Sequence, residues 1–294
     1  MSYTVDNAIL MAAGASSRFA PLSYEMPKAL IPVKGERLIE RQIRQLRDAG
    51  IRQVVLVVGY QKERFSYLKD KFGVTIVENP EYHVRNNHSS IFAARDYLGN
   101  SYICSSDNYF TKNPFETQVD DAYYAALYAD GKTAEWCMQE GADGYVSRVQ
   151  VGGEHAWYML GHVFWNETFS RRFLDILRAE YDRPETRGLL WEGIYARHLD
   201  ELKLRIRRYD PDFIFEFDSL DELRAFDQSY VENTRSEILR HIAGELHCSE
   251  SELSHFEALC APGEAEAMGF RFFHRGEAYR YQYQTKTWGK ETKQ

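Results

Sequence analysis

Short apolar runs that alternate with amphipathic stretches constrain this chain more than any other feature. Ala8 to Ala12 is apolar and leads into Ala13-Gly14, which predicts a buried strand. Leu38 to Ala49 sets Leu38, Ile39, Ile43 and Leu46 at helical spacing, and Gly50 stops the helix. Gln53 to Val58 is nearly all β-branched residues or leucine, a second buried strand. A helix over Lys62 to Phe72, closed by Gly73, and a strand over Val74 to Val77 follow. Ser89 to Leu98 then reads as a helix and Tyr102 to Ser105 as a strand. This βαβαβ alternation predicts an α/β fold. Its core is a Rossmann-like, mixed but mostly parallel sheet with helices on both faces.

Beyond residue 120 the pattern changes. Ala122 to Tyr128 and Gly144 to Trp165 predict several strands separated by glycine turns. Phe169 to Tyr181 is a helix with Phe169, Phe173, Ile176 and Leu177 on one face. Ile214 to Phe217 predicts a strand, and Ser219-Leu220-Asp221-Glu222 is a capping box opening another helix. The expected division is a main domain over residues 1–230 and a small C-terminal α+β appendage over 231–294. The appendage should hold a helix from Ser236 to Leu246, a second short helix from Ser249, and a hairpin over Phe270 to Tyr283 turning at Arg275-Gly276. An alternating aromatic hairpin needs a surface, so it should dock on the main domain or on a second copy in a homodimer.

Composition narrows the function classes. With 44% hydrophobic residues among 294, the chain has enough apolar material for a sizeable core. A net charge of −8 without any basic block argues against a nucleic-acid partner. Cys104, Cys137, Cys248 and Cys260 lack zinc-site spacing, so free thiols are expected. Met1 to Asn7 carries no positive leader, and no apolar run is long enough to span a bilayer. The expectation is a cytoplasmic protein with no membrane partner.

The chemistry is concentrated after the first strand. Ala12-Ala13-Gly14 is followed by Arg18, Pro21 and Pro27-Lys28. Small residues let the backbone approach a ligand, and free amides in a turn hold phosphate. Arg18 offers a fork of donors for terminal phosphates, and Lys28 offers a compact cation for the phosphorus under attack. The loop matches neither the dinucleotide G-x-G-x-x-G pattern nor the P-loop. Asp107 and Asp218 each follow a predicted strand. Taken locally, Asp107 could equally form a turn and Asp218 could cap the next helix.

With these residues in this order, the chain resembles the sugar-phosphate-type nucleotidyltransferases, and within them the bacterial CTP:phosphocholine cytidylyltransferases. Their signature is a small-residue strand end, Gly, three residues, Arg, then Pro-Lys. The matching stretches run from about residue 5 to 230: Val58 to Glu63, Asn86-Asn87 with Ser90, Ser106 to Tyr109, Glu135-Trp136, Trp191-Glu192 and Glu216 to Ser219. The resemblance implies in-line transfer of CMP from CTP to a small phosphorylated or phosphono amino-alcohol. It gives Lys28 and Arg18 the catalytic roles and assigns Mg²⁺ to Asp107 and Asp218. It places the nucleotide at Ala12, Ala13, Gly14, Gly59, Tyr60, Asn87, Ser90 and Ser106. It places the acceptor at Trp136, Trp191, Glu192 and Glu216. Trp157, Tyr158, Trp165 and Tyr195 are further aromatics that could line a cage for a quaternary ammonium.

Two positions depart from the family pattern. Many relatives carry an acid where this chain has Ser105, and choline-type relatives often carry an aromatic where it has His88. The latter keeps 2-aminoethylphosphonate and phosphoethanolamine as acceptors beside phosphocholine. A non-catalytic nucleotide-binding homologue and a sugar 1-phosphate transferase are the competing classes. Arg18, Lys28, Asp107 and Asp218 together argue against the first, and Trp136 and Trp191 mildly against the second. The tail weakly resembles the beginning of a choline-kinase-type domain, without the catalytic segments of a kinase.

Overall fold

A computed structural model describes residues 2–261 and 266–291. The chain divides into two compact units that are interleaved in sequence. The first holds Met1–Gly14 and Ile39–Glu216, and the second holds Ala15–Leu38 and Phe217–Gln294. The boundary expected at residue 230 thus follows the extent of the resemblance, whereas the compact units group 15–38 and 217–230 with the tail.

The first unit is built on a seven-stranded sheet. Its strands are β1 (Asn7–Ala12), β2 (Val54–Val58), β3 (Thr75–Glu78), β4 (Ser101–Ser105), β5 (Tyr123–Glu140), β6 (Val146–Trp165) and β7 (Arg205–Arg208). Their order across the sheet is β7-β5-β6-β4-β1-β2-β3. The β1–β2, β2–β3, β1–β4 and β5–β7 ladders are parallel, while β6 runs antiparallel to both neighbours. The helices are α1 (Leu38–Asp48), α2 (Tyr67–Phe72), α3 (His88–Ala93), α4 (Glu167–Glu180) and α5 (Trp191–Arg197). The sheet is therefore mixed and mostly parallel, as the alternating pattern predicts.

All five residues of β2 are buried, as a central parallel strand requires. Ile9, Val55, Ile103, Val163 and Trp165 of the sheet join Phe173 of α4 and Trp191 of α5 in one core. Helix α4 starts where Asn166 accepts a hydrogen bond from the Phe169 amide at 2.9 Å. The expected helices over 62–72 and 89–98 each break into two pieces, one a 3₁₀ turn: Lys62–Phe65 before α2, and Arg95–Tyr97 after α3.

One expectation is corrected in the middle of the chain. The segments read as several strands separated by glycine turns form one long hairpin, β5–β6. Gly152 (φ +75°) and Gly161 (φ +61°) lie within β6 near register shifts, not at turns. A bulge uses a glycine's positive φ much as a turn does, so the two look alike in sequence.

The second unit contains α6 (Leu220–Phe226) and α7 (Glu237–Leu246). It also holds a four-stranded antiparallel sheet of β8 (Leu253–Cys260), β9 (Ala267–His274), β10 (Glu277–Gln282) and β11 (Thr287–Lys290). The β9–β10 turn sits at Arg275 (φ +50°) and Gly276 (φ +79°), the two positive φ values a type I′ turn needs. The second helix expected from Ser249 is one 3₁₀ turn with a capping box, and β8 follows directly. No helix among the described residues is long and apolar enough to cross a membrane.

Candidate active site

Strand order places the first part of the site. β1 leads to β2 and β3 on one side, while β4 lies on its other side. In an open parallel sheet such a reversal leaves a crevice beyond the carboxyl ends of the strands, where ligands bind. Ala12-Ala13-Gly14 ends β1, Gly59-Tyr60 ends β2, and Ser105-Ser106-Asp107 ends β4. These ends are tied together. The Tyr60 amide donates to the Ala13 carbonyl at 2.9 Å, and the Ser106 amide to the Met11 carbonyl at 3.3 Å.

Two glycines here have different reasons. A Cβ on Gly59 would stand 2.7 Å from the Tyr82 ring and 2.8 Å from the Ala13 carbonyl oxygen. Glycine is thus required for β1 and β2 to close at their ends. A Cβ on Gly14 would meet nothing within 4 Å, so packing imposes no glycine there and a ligand has room to approach. Gly59→Ala should cost about 1–3 kcal/mol of stability, the usual penalty for overpacking. Urea unfolding monitored by tryptophan fluorescence would read it.

Ser90 is buried and reaches the same end of the sheet through Asn79. The Asn79 side chain donates to the Ser89 and Ser90 hydroxyls at 2.8 and 3.1 Å, and the Asn79 amide donates to the Val58 carbonyl at 2.8 Å. Asn87 stands at the N-cap position of α3 but makes no side-chain cap there. Its carbonyl oxygen instead accepts from the Trp191 amide at 2.7 Å, and its NH₂ donates to Glu192 Oε2 at 3.2 Å. His88 is buried, with Nδ1 2.7 Å from the Leu189 carbonyl, and burial pushes its pKa down. Because a carbonyl oxygen can only accept, the Nδ1–H donates to it.

Glu192 is the most distinctive group of the first unit. It is 7% exposed, and the Tyr124 hydroxyl donates to its Oε1 at 2.9 Å. Burial raises its carboxyl pKa, against the lowering effect of hydrogen bonds from its own amide, Asn87 and Tyr124. Those donors are neutral, and no cationic side chain among the described residues pairs with it. Burial, then the negative charges of Glu192 and Glu216, hold the Tyr124 hydroxyl well above its ordinary pKa. Burial, followed by Glu135 and Glu216, also raises the pKa of Tyr158. The Trp136 ring lies over α5, 3.6 Å from where a Cβ on Gly193 would stand. Carboxylates thus gather around Tyr124, surroundings that favour a cation.

Not every proposed cage residue offers a free face. Trp191 is 1% exposed, stacked on Tyr124 at 5.5 Å and edge-on to Trp165 at 5.1 Å. Trp165 and Tyr195 are wholly buried in the same core. Trp191 therefore contributes through its backbone amide and its support of Tyr124, as its ring is enclosed by other aromatics. Ser105 packs against Gly161, whose missing side chain leaves the space it occupies.

The second unit carries the basic pair. Asp218 precedes the N-cap of α6, where Ser219 accepts from the Glu222 amide at 3.2 Å. The box closes one residue early, since the Glu222 carboxylate accepts from the Asp218 amide at 2.6 Å instead of from Ser219. Asp218 Oδ2 meets Arg18 at 2.6 Å, and Oδ1 lies 3.7 Å from Lys28 Nζ. Arg18 is 78% exposed, so its guanidinium faces solvent beyond that ion pair. Lys28 is 5% exposed and sits 5.6 Å from the Phe19 ring centroid, which fixes it. Asp107 belongs to the first unit and Asp218 to the second.

Tyr124 and Asn79 had no functional signal in the sequence. One lies inside an apolar run and the other in an ordinary Asn-Pro turn, so only the fold reveals their partners.

Comparison with known proteins agrees with this architecture. Residues 8–114 match the MobA-like NTP transferase domain. The choline-phosphate cytidylyltransferase of Streptococcus pneumoniae is 32% identical over 75% of this chain and 96% of its own length. The 2-aminoethylphosphonate cytidylyltransferase of Lancefieldella rimae is 36% identical over 78% of this chain and 95% of its own length. A solved structure of the CTP:phosphocholine cytidylyltransferase from Streptococcus pneumoniae superposes with a TM-score of 0.72 at 33% identity, covering 77% of this chain and 99% of that one. The chain belongs to this family of nucleotidyltransferases and is an enzyme of that class.

Proposed function

We propose that the chain transfers CMP from CTP to phosphocholine, giving CDP-choline and pyrophosphate. The observation that carries the acceptor assignment is the buried Glu192 carboxylate, held by the neutral donors Asn87 and Tyr124, with Glu216 acting on the same Tyr124 hydroxyl and Trp136 lying over the next residue, Gly193. A buried carboxylate without a cation is costly, and a quaternary ammonium supplies one without competing for hydrogen bonds. The names of two relatives support the choice of CTP.

The nucleophile is a phosphate oxygen that is already an anion, so no general base is needed. It attacks the α-phosphorus in line, and pyrophosphate leaves. Catalysis is then positioning plus charge neutralisation. Lys28, fixed by burial, stabilises the charge that develops at the α-phosphate. Arg18, exposed, exchanges Asp218 for the departing pyrophosphate. The amides after β1 line the phosphate chain.

A divalent cation suits this donor set. Among the described residues, no three or more His, Cys, Asp or Glu side chains form a metal cluster. Mg²⁺ needs only one or two carboxylates, completed by phosphate oxygens and water. Asp107 and Asp218 would hold it, and when bound it would neutralise the phosphates. A cytoplasmic location, where CTP is available, suits this activity.

A second acceptor has its own support. The 36% identical relative acts, by name, on 2-aminoethylphosphonate, and His88 replaces an aromatic expected in choline-type enzymes. Measuring kcat/KM for phosphocholine, phosphoethanolamine and 2-aminoethylphosphonate at saturating CTP decides between them. The proposal expects phosphocholine to rank first, and a primary amine ranking first would replace it. Glu192→Gln should raise the acceptor KM about 10- to 100-fold, the loss of one close charge–charge contact. The KM for CTP should rise less than that for the acceptor, because Glu192 meets the nucleotide side through its hydrogen bond from Asn87.

A further inference from the structure

The residues of the second unit that carry phosphate chemistry lie on two segments far apart in sequence, and the tail touches both. Tyr24, between Arg18 and Lys28, stacks face to face on Tyr283 with ring centroids 3.7 Å apart and planes 3° apart. Tyr283 is 5% exposed, so the stack is anchored on the tail. The neighbouring Glu25 reaches the N-terminus of α7. Its Oε1 accepts from the Glu237 amide at 2.8 Å and the Ile238 amide at 3.2 Å. Ser236 caps the next amide, that of Leu239, at 3.0 Å. The first three amides of α7, which have no partner within the helix, are thus satisfied, two of them by the loop.

The second segment is held as firmly. Arg224 of α6, 8% exposed, donates to the Leu253 carbonyl at 2.6 Å and the Glu250 carbonyl at 2.8 Å. Asp221 accepts from the His255 amide at 2.9 Å. This helix begins directly after Asp218 and Ser219. Arg235 joins the two grips, since it donates to the Pro32 carbonyl at 3.1 Å and to the Tyr230 hydroxyl at 2.7 Å.

Resting on the function proposed above, we infer that residues 231–294 are a positioning element of the transfer site. Tyr283 and the α7 N-terminus fix the loop bearing Arg18 and Lys28, while β8 fixes the helix that follows Asp218. Tyr24, Glu25, Arg224 and Tyr283 are its positioning residues. The relatives are covered over 95–98% of their lengths by only 75–78% of this chain, which leaves about a quarter of it for such an added role.

The test uses the full chain with Tyr283→Ala, Tyr283→Phe and Glu25→Ala. Without any ligand, hydrogen exchange at the Met26 and Leu30 amides should quicken about 3- to 10-fold in Tyr283→Ala, the worth of one aromatic pair. Exchange in β1, β2 and β4 should stay unchanged. In catalysis, the KM for CTP should rise by a similar factor while the acceptor KM stays within about twofold. Tyr283→Phe should restore both readouts, and Glu25→Ala should reproduce the loss. Wild-type exchange in the loop of both disrupted variants would overturn the inference. So would acceleration of every amide together with a rise in both KM values, which marks a merely structural role. If the wild-type chain transfers CMP to no acceptor, the function proposal fails by itself, and ligand-free exchange still decides whether the tail fixes the loop.

Discussion

Lys28→Ala should lower kcat/KM for CTP by about 10²–10³-fold, the effect of losing one preorganised electrostatic group. Lys28 is 5% exposed and is held beside Phe19 and Asp218, so its charge is in place before substrate arrives. A preorganised cation needs no reorganisation as charge develops at the α-phosphate, which is why its loss should appear mainly in kcat. Lys28→Arg should recover only part of the rate, because a planar guanidinium does not fit a pocket shaped for a compact ammonium. Continuous measurement of pyrophosphate release gives both constants, and circular dichroism checks the fold. Near-normal turnover in Lys28→Ala would remove it from the mechanism.

Asp107→Asn should be of similar size, about 10²–10³-fold in kcat/KM. The substitution keeps the shape of the side chain and removes its charge. Its signature should differ from that of Lys28→Ala. The Mg²⁺ concentration for half-maximal rate should rise at least about tenfold, since a direct ligand matters no less than the groups that merely orient one. Lys28→Ala should not raise that concentration, because it removes a cation beside Asp218. A metal titration at fixed CTP separates the two residues. An unchanged titration for Asp107→Asn would place the metal elsewhere.

The sheet was legible in the sequence because buried parallel strands are short, apolar and bounded by glycine. Val54–Val58 could hardly be anything else. The β5–β6 hairpin was not, because Gly152 and Gly161 sit in irregular strand positions that look like turns. β8 was hidden for a related reason. A register shift between Ser254 and Glu257 places buried Leu253 and Phe256 three residues apart, which imitates a helix. The phosphate loop announced itself through Arg18 and Lys28, whose spacing is local. The surroundings of Glu192 did not, because Asn87 and Tyr124 reach it from distant parts of the chain. Trp191 illustrates the remaining ambiguity: an aromatic residue at a functional position and one in a core have the same letter, and here the core encloses the ring.

The most direct measurement mixes the purified chain with Mg²⁺, phosphocholine and each of CTP, UTP, dTTP, ATP and GTP, and follows pyrophosphate and the nucleotide product by mass spectrometry. The account predicts release with CTP alone, with CDP-choline formed in equal amount. Release with another nucleotide in preference to CTP, or no CDP-choline under any pairing while CTP remains bound, would contradict it.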